Sequence, residues 1–253
     1  MYRVTLAEPL KAQATAKLIV RMVFVDLEQP HPAAIAQNDA QLVRYNDNHY
    51  YAAAYVTSSQ RTSLKLASAN VETFSQLQPT TRKGAEIIYG SYDDVAAFST
   101  SPLSVHFENN APFIKAVRAT KEIEVSHWGN AAVELQLDLV HAGARLKGVF
   151  SRYEYQRNPT GAKPAVRQLK LDLPPGAADI YYRDEIGNIS TSTVAPTNDA
   201  VGLTLVPRYV LFGGWRAAFC VGYNLPVITH NKNYSRSSLF RFENNIVYTV
   251  SVV

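Results

Sequence analysis

Acid–base, metal or nucleophilic chemistry in this chain would have to come from six histidines, one cysteine and 21 carboxylates. The histidines are His31, His49, His106, His127, His141 and His230. No two of them stand at HxH, HxxxH or HExxH spacing, so a local zinc motif is absent. His127 precedes Trp128 on the apolar side of an alternating run, where a hydrogen-bonded core histidine is expected rather than a ligand. Ser126 and His127 are adjacent, so on a strand their side chains point to opposite faces and cannot act as a nucleophile and its base. No GxSxG elbow occurs. The glycines form neither a P-loop nor GxGxxG, and Gly213-Gly214 stand alone.

Paired carboxylates are the remaining catalytic possibility, because a glycosidase needs two. Glu122 and Glu124 share one face of a strand, about 7 Å apart, but that pattern is first of all a polar outer face. Asp93-Asp94 and Asp184-Glu185 read as turn residues, where Asp bonds nearby backbone N–H groups. Two tripeptides fit the acceptor pattern for N-glycosylation, Asn188-Ile189-Ser190 and Asn233-Tyr234-Ser235; Asn158-Pro159-Thr160 is excluded by its proline.

The elements that must position these groups are strands. Val133, Leu135, Leu137 and Leu139 alternate with Glu134, Gln136 and Asp138; Leu169, Leu171 and Leu173 alternate with Gln168, Lys170 and Asp172; Ile123, Val125 and His127 alternate with Glu122, Glu124 and Ser126. Each run puts apolar groups on one face and polar groups on the other. Lys17–Asp26 is apolar on both faces for part of its length and predicts a central, doubly covered strand. Pro32–Val43 is the best candidate for a short helix. Turns are marked at Gln29–Pro32, Asn46–Asn48, Asn109–Pro112, Pro174–Gly176 and Gly213-Gly214. The pattern predicts an all-β fold of two consecutive antiparallel sandwich-like domains. Residues 156–165, polar and holding two prolines and a glycine, are the expected linker between a first domain at 1–155 and a second at 166–253.

Composition narrows the function classes. The 253 residues are 47% hydrophobic and 18% charged, with 15 Tyr and 10 Phe, which excludes global disorder and favours strands. The net charge of +4 is spread as single residues, with no basic run, which argues against a nucleic-acid partner. Cys220 is the only cysteine, in an apolar stretch that predicts a buried thiol. The uncharged stretch Ala217–Asn231 is too short for a spanning helix and holds Asn224 and Pro226.

Longer strings carry a resemblance. Tyr181-Tyr182-Arg183-Asp184-Glu185-Ile186-Gly187-Asn188-Ile189-Ser190-Thr191-Ser192 resembles a signature stretch of the ribophorin I family. So do His106–Asn110, Glu124–Asn130, Leu146–Arg157 and Leu211–Trp215 followed by Val221–Pro226, in the family's order and at about its spacing. The resemblance is clear from Asn48 to Pro226 and looser on either side. It implies a lumenal fragment of an accessory subunit of the oligosaccharyltransferase of the endoplasmic reticulum, in which both β domains are truncated. That enzyme moves a preassembled glycan from a dolichyl-diphosphate carrier to the Asn of a sequon. Its metal-dependent active site belongs to another subunit, so no catalytic residue, metal ligand or cofactor is expected here. The implied partners are the catalytic and other subunits and nascent polypeptides, with a single membrane-spanning helix outside this chain. Two other readings stay open, a stand-alone carbohydrate- or peptide-binding β module and a β-sandwich glycosidase. Asn188 is the expected glycan site, because a turn projects it into solvent and the family carries a glycan at the equivalent sequon; Asn233 ranks second.

Overall fold

The computed structural model describes residues 9–11, 14–126, 128–159, 161, 163–197, 199–226 and 251–252. In chain order the first strands are β1 (Glu28–Pro30), β2 (Ala34–Ile35), β3 (Leu42–Asn48), β4 (Thr57–Lys65), β5 (Val71–Phe74), β6 (Thr80–Lys83), β7 (Glu86–Val95) and β8 (Pro102–Glu108). Then come β9 (Ile114–Ser126), β10 (Asn130–His141), β11 (Arg145–Leu146), helix α1 (Arg152–Arg157), β12 (Leu169–Leu173), β13 (Ala178–Asp184), β14 (Ser192–Pro196), β15 (Val201–Leu205), β16 (Arg216–Pro226) and β17 (Ser251–Val252). The fold is all-β. Its sheets are antiparallel except for the short parallel pair β2·β11.

Two sandwich-like halves result. In the first, sheet β1-β3-β8-β5 contributes Val43, Leu103, Val105 and Phe107, and sheet β4-β7-β6 contributes Ile87 and Tyr89, to one buried cluster. In the second, sheet β13-β16-β10-β9 faces sheet β14-β15-β12-β17. The alternating leucines make that core: Leu135, Leu137 and Leu139 of β10 pack with Leu169, Leu171 and Leu173 of β12 and Leu203 and Leu205 of β15. The inward rows follow the strand period of two.

The sheets do not divide at residues 156–165. β9 and β10 lie before that segment, yet β10 pairs with β16 over eleven residue pairs, from Asn130↔Pro226 to Val140↔Arg216. The change of sheet falls instead between β8 and β9, at the Asn109–Pro112 turn. Within the expected linker, Pro164 and Ala165 are buried, and Ala165 packs on Phe212. Prolines and polar residues mark where the chain turns, but only contact between leucine rows decides which strands share a core.

Two further expectations change. No helix forms across Pro32–Val43; the segment holds β2 and the start of β3. Its Gln37 and Gln41 are buried, and both amides have backbone partners far along the chain. Residues 17–26 form no strand and are exposed, with Val23 at 93%. Residues 24–26 do lie near the start of β9, where Lys115 pairs with Asp26 at 2.8 Å, but they form no ladder with it. The only described helix, α1, starts at a serine N-cap: Ser151 Oγ accepts from the Glu154 N–H at 3.3 Å.

A polar seam joins the halves. Gln41 is fully buried; its Nε2 donates to the carbonyls of Asn109 (2.9 Å) and Ala111 (3.3 Å), and its Oε1 accepts from the Ala144 N–H (2.8 Å). Gln37 makes the same double contact with Ser151, donating to its carbonyl at 3.0 Å and accepting from its N–H at 2.9 Å. The imidazole of His141 accepts from the Gly143 N–H at Nδ1 (3.0 Å), so Nε2 carries the proton and donates to the Pro164 carbonyl (2.6 Å). Burial pushes its pKa below the ordinary histidine value, consistent with a neutral ring. Each amide here satisfies backbone groups that the strand ladders leave unpaired.

Candidate functional site

The Asn188 tripeptide sits where β13 turns back. The Asp184 N–H donates to the Gly187 carbonyl (3.0 Å) and the Gly187 N–H to the Asp184 carbonyl (3.2 Å), and Asn188 bridges to Arg183. Asp184 Oδ1 also accepts from the N–H groups of Ile186 (3.0 Å) and Gly187 (3.1 Å). Arg208 then clamps the same carboxylate bidentately, Nε to Oδ2 at 2.7 Å and Nη2 to Oδ1 at 2.9 Å. The guanidinium, with the backbone donors, holds the Asp184 carboxyl down to about 2. Gly187 has φ +143, a conformation that side chains rarely adopt. The turn is thus fixed from three sides, while Asn188 and Ser190 are exposed and Ile189 between them is buried. Its geometry leaves the Asn188 amide free to carry a bulky group. Asn233 and His127 lie outside the described residues.

Because Asn188 opposes Arg183, it belongs to the outer face of sheet β13-β16-β10-β9, which carries a second constellation. The rows across that face follow from strand register. One runs Arg183, Cys220, Gln136; the next runs Tyr181, Gly222, Glu134, Glu122; a third holds Asn224, Ala132 and Glu124. Tyr181 reaches across β16 to donate its hydroxyl to Glu134 Oε2 on β10 at 2.7 Å. It can do so only because Gly222 has no side chain: a Cβ there would stand 2.0 Å from Tyr181 Cζ. The ring therefore lies along the sheet. Arg183 donates to the same oxygen at 2.8 Å with its guanidinium 5.5 Å from the ring centre, and Gln136 donates to Glu134 Oε1 at 3.0 Å. These donors, Gln136 first and Tyr181 next, hold the Glu134 carboxyl down to about 2, while its anion pushes the Tyr181 phenol up to about 12. Glu134 is a structural anion that fixes Tyr181. Cys220 lies on this face beneath the lattice, buried as expected, and burial pushes its thiol up to about 11.

Beside the tyrosine is a cavity of about 160 Å³ lined by Glu122, Glu124, Glu134, Tyr181, Ala132 and Asn224 among others. Glu122 and Glu124 do share one exposed face, as their spacing implies. Asp93 and Asp94, in contrast, lie within β7, Asp93 opposite Ser59, rather than in a turn. Sequence reading missed the Tyr181–Glu134 contact, since 47 residues separate its partners. A larger depression of about 710 Å³ lies between residues 24–30 and 109–114, bordered by the Asp26–Lys115 ion pair at 2.8 Å.

A family model described as Ribophorin I matches residues 1–251. Among curated relatives, subunit 1A of dolichyl-diphosphooligosaccharide–protein glycosyltransferase from Arabidopsis thaliana is 43% identical over 90% of this chain and 37% of its own length. Subunit 1 from Caenorhabditis elegans is 41% identical over 89% of this chain and 39% of its own length. Subunit 1B from Arabidopsis thaliana is 42% identical over 89% of this chain and 49% of its own length. The chain thus spans less than half the length of these relatives. With nearly every residue inside the family match, the chain belongs to the ribophorin I family.

Proposed function

We propose that this chain is part of a non-catalytic accessory subunit of oligosaccharyltransferase, serving N-linked glycosylation from the lumenal face of the endoplasmic reticulum membrane. The observation that carries this reading is the 41–43% identity, over about nine-tenths of the chain, with proteins named as subunit 1 of that enzyme. The partners are then the catalytic and other subunits, and the nascent polypeptides they modify. In the whole protein a membrane-spanning helix tethers the β domains; among the described residues no helix is long and apolar enough to cross a membrane. Affinity capture of the full-length protein from microsomes tests the assignment. The catalytic oligosaccharyltransferase subunit is expected in the eluate, and its absence refutes the proposal.

Within that reading Asn188 carries an N-linked glycan. Support comes from its exposure and from the turn that Asp184, Gly187 and Arg208 hold rigid beneath it. Asn233 is the second candidate. Protein made in a secretory pathway is expected to lose mass on endoglycosidase treatment, and Asn188→Gln to abolish that loss or most of it. An unchanged mass loss in Asn188→Gln rules the site out.

A further inference from the structure

The outer face of sheet β13-β16-β10-β9 holds a combination that neither membership of a complex nor glycosylation at Asn188 explains. An aromatic ring is laid along the sheet and locked by two charged or polar partners, and a small cavity opens beside it. Tyr181 remains 39% exposed. Around the cavity stand Glu122 and Glu124 from β9 and Asn224 from β16. Asn224 is pre-oriented: its Oδ1 accepts from Asn130 Nδ2 (3.1 Å), and its Nδ2 donates one hydrogen to Asp179 Oδ2 (2.9 Å), which leaves the second N–H for a ligand. Glu122 and Glu124 are exposed acceptors that form no ion pair among the described residues. Nor do the carboxylates group with other ligands to hold a metal ion among the described residues.

We propose that this face is a binding site for one neutral pyranose ring of an oligosaccharide. A pyranose has an apolar face of C–H groups that packs on an aromatic ring, and a rim of hydroxyls that donate to carboxylates and accept from amides. Tyr181 supplies the first, Glu122 and Glu124 the acceptors, and Asn224 the donor. The cavity of about 160 Å³ suits a single ring, well below the roughly 300–1,000 Å³ of sites for larger ligands. Glu134 takes no part in recognition; its saturated carboxylate keeps the ring in place before a sugar arrives, so little ordering is needed on binding. Two sources of the sugar share this chemistry. One is a glycan on another molecule. The other is the glycan on Asn188 itself, which projects from the same sheet face one row away from Tyr181. The site stands on this geometry and does not depend on the proposed place in oligosaccharyltransferase.

The test is titration of the full chain with N-acetylglucosamine, chitobiose and methyl α-mannopyranoside, read by saturation-transfer NMR. It is run on protein glycosylated in a secretory pathway and on the Asn188→Gln variant. At least one sugar is expected to bind saturably. Glu124→Gln and Tyr181→Ala are expected to weaken that binding by about tenfold or more, and Asp172→Asn, on the other sheet, to leave it unchanged. Binding by the Asn188→Gln form alone identifies the chain's own glycan as the occupant, and binding by both forms identifies an external one. Failure of all three sugars with both forms overturns the proposal, as does binding that survives Tyr181→Ala. Glu124 is on the surface of an edge strand, so Glu124→Gln keeps the test valid if Tyr181→Ala does not fold; undiminished affinity in that variant also overturns the site.

Discussion

Gly213→Ala is expected to destabilise the protein by about 4 kcal/mol, combining an overpacked contact with lost hydrogen bonds, and to lower its melting temperature by roughly 8–16 °C at this chain length. A Cβ at residue 213 would stand 1.8 Å from the Ala144 carbonyl oxygen and 2.5 Å from its carbon. Both are backbone atoms, which cannot swing aside as a side-chain tip can. Relief requires residues 213–215 to part from 141–146, a contact held by three bonds: Leu146 N–H to the Gly213 carbonyl (3.1 Å), Gly214 N–H to the His141 carbonyl (2.8 Å) and His141 N–H to the Trp215 carbonyl (2.9 Å). Phe150, Phe212 and Trp215 pack in the same place, with ring centres 5.3–5.9 Å apart, so the aromatic cluster loosens with the backbone. Gly84→Ala is the control, since nothing lies within 4 Å of its Cβ position; only its positive φ opposes alanine, at a cost of about 1 kcal/mol. Thermal melts followed by circular dichroism compare the two. If Gly213→Ala melts within a few degrees of Gly84→Ala, the close approach is not what holds this corner.

The second large effect is expected at Gln41. Its side chain makes three hydrogen bonds to backbone groups of three separate residues, with no exposure to solvent. Gln41→Ala removes the donor to the Asn109 and Ala111 carbonyls and the acceptor for the Ala144 N–H. Each buried group left unsatisfied costs about 1–3 kcal/mol, so with water reaching the exposed Ala111 the Asn109 carbonyl and the Ala144 N–H together imply a loss of about 2–6 kcal/mol. The loss should be local in character. Asn109 and Ala111 belong to the β8–β9 crossing between the two halves, and Ala144 to the segment that leads into β11. Hydrogen exchange at the Ala144 amide is therefore expected to speed up more than exchange at the amides of Leu171 or Leu203 in the second core. Uniform acceleration at all of these amides would show instead that Gln41 contributes only to global stability, and unchanged exchange at Ala144 would show that its bond to Gln41 contributes little.

Both predictions lie at the joint, where the sequence was least legible. Residues Val133–Leu139 and Leu169–Leu173 announce half-buried strands through a period of two, and the structure places their leucines inward as that period requires. The exposed turn at Asn188 could also be read from Asp184, Gly187 and the hydroxyl residues that follow, because turn chemistry is local. The buried state of Cys220 followed from its apolar neighbours for the same reason. Long strings such as Tyr181–Ser192 carried the family resemblance, which the match over residues 1–251 bears out.

Alternation says which residues face together but not which strand lies alongside. The pairing of β10 with β16, which moves Ile114–His141 into the second half, joins residues about 80 to 100 apart in sequence and is decided by how the leucine rows fit. Gln37 and Gln41 fall in the segment expected to be a short helix, and their burial rests on carbonyl partners 68 to 114 residues away that only the fold brings beside them. Gly213 reads as a turn glycine, and Gly222 stands only within a string of the family resemblance; what each admits, the Ala144 backbone in one case and the Tyr181 ring in the other, exists only once the chain has folded. Local chemistry, written in neighbouring residues, was therefore open to reading from the sequence alone, namely the strand-rich class, the turn at the sequon and the buried thiol. The grouping of sheets, the polar seam and the tyrosine laid over Gly222 were decided by tertiary structure, because each depends on contacts between segments that the order of residues leaves free to choose their partners.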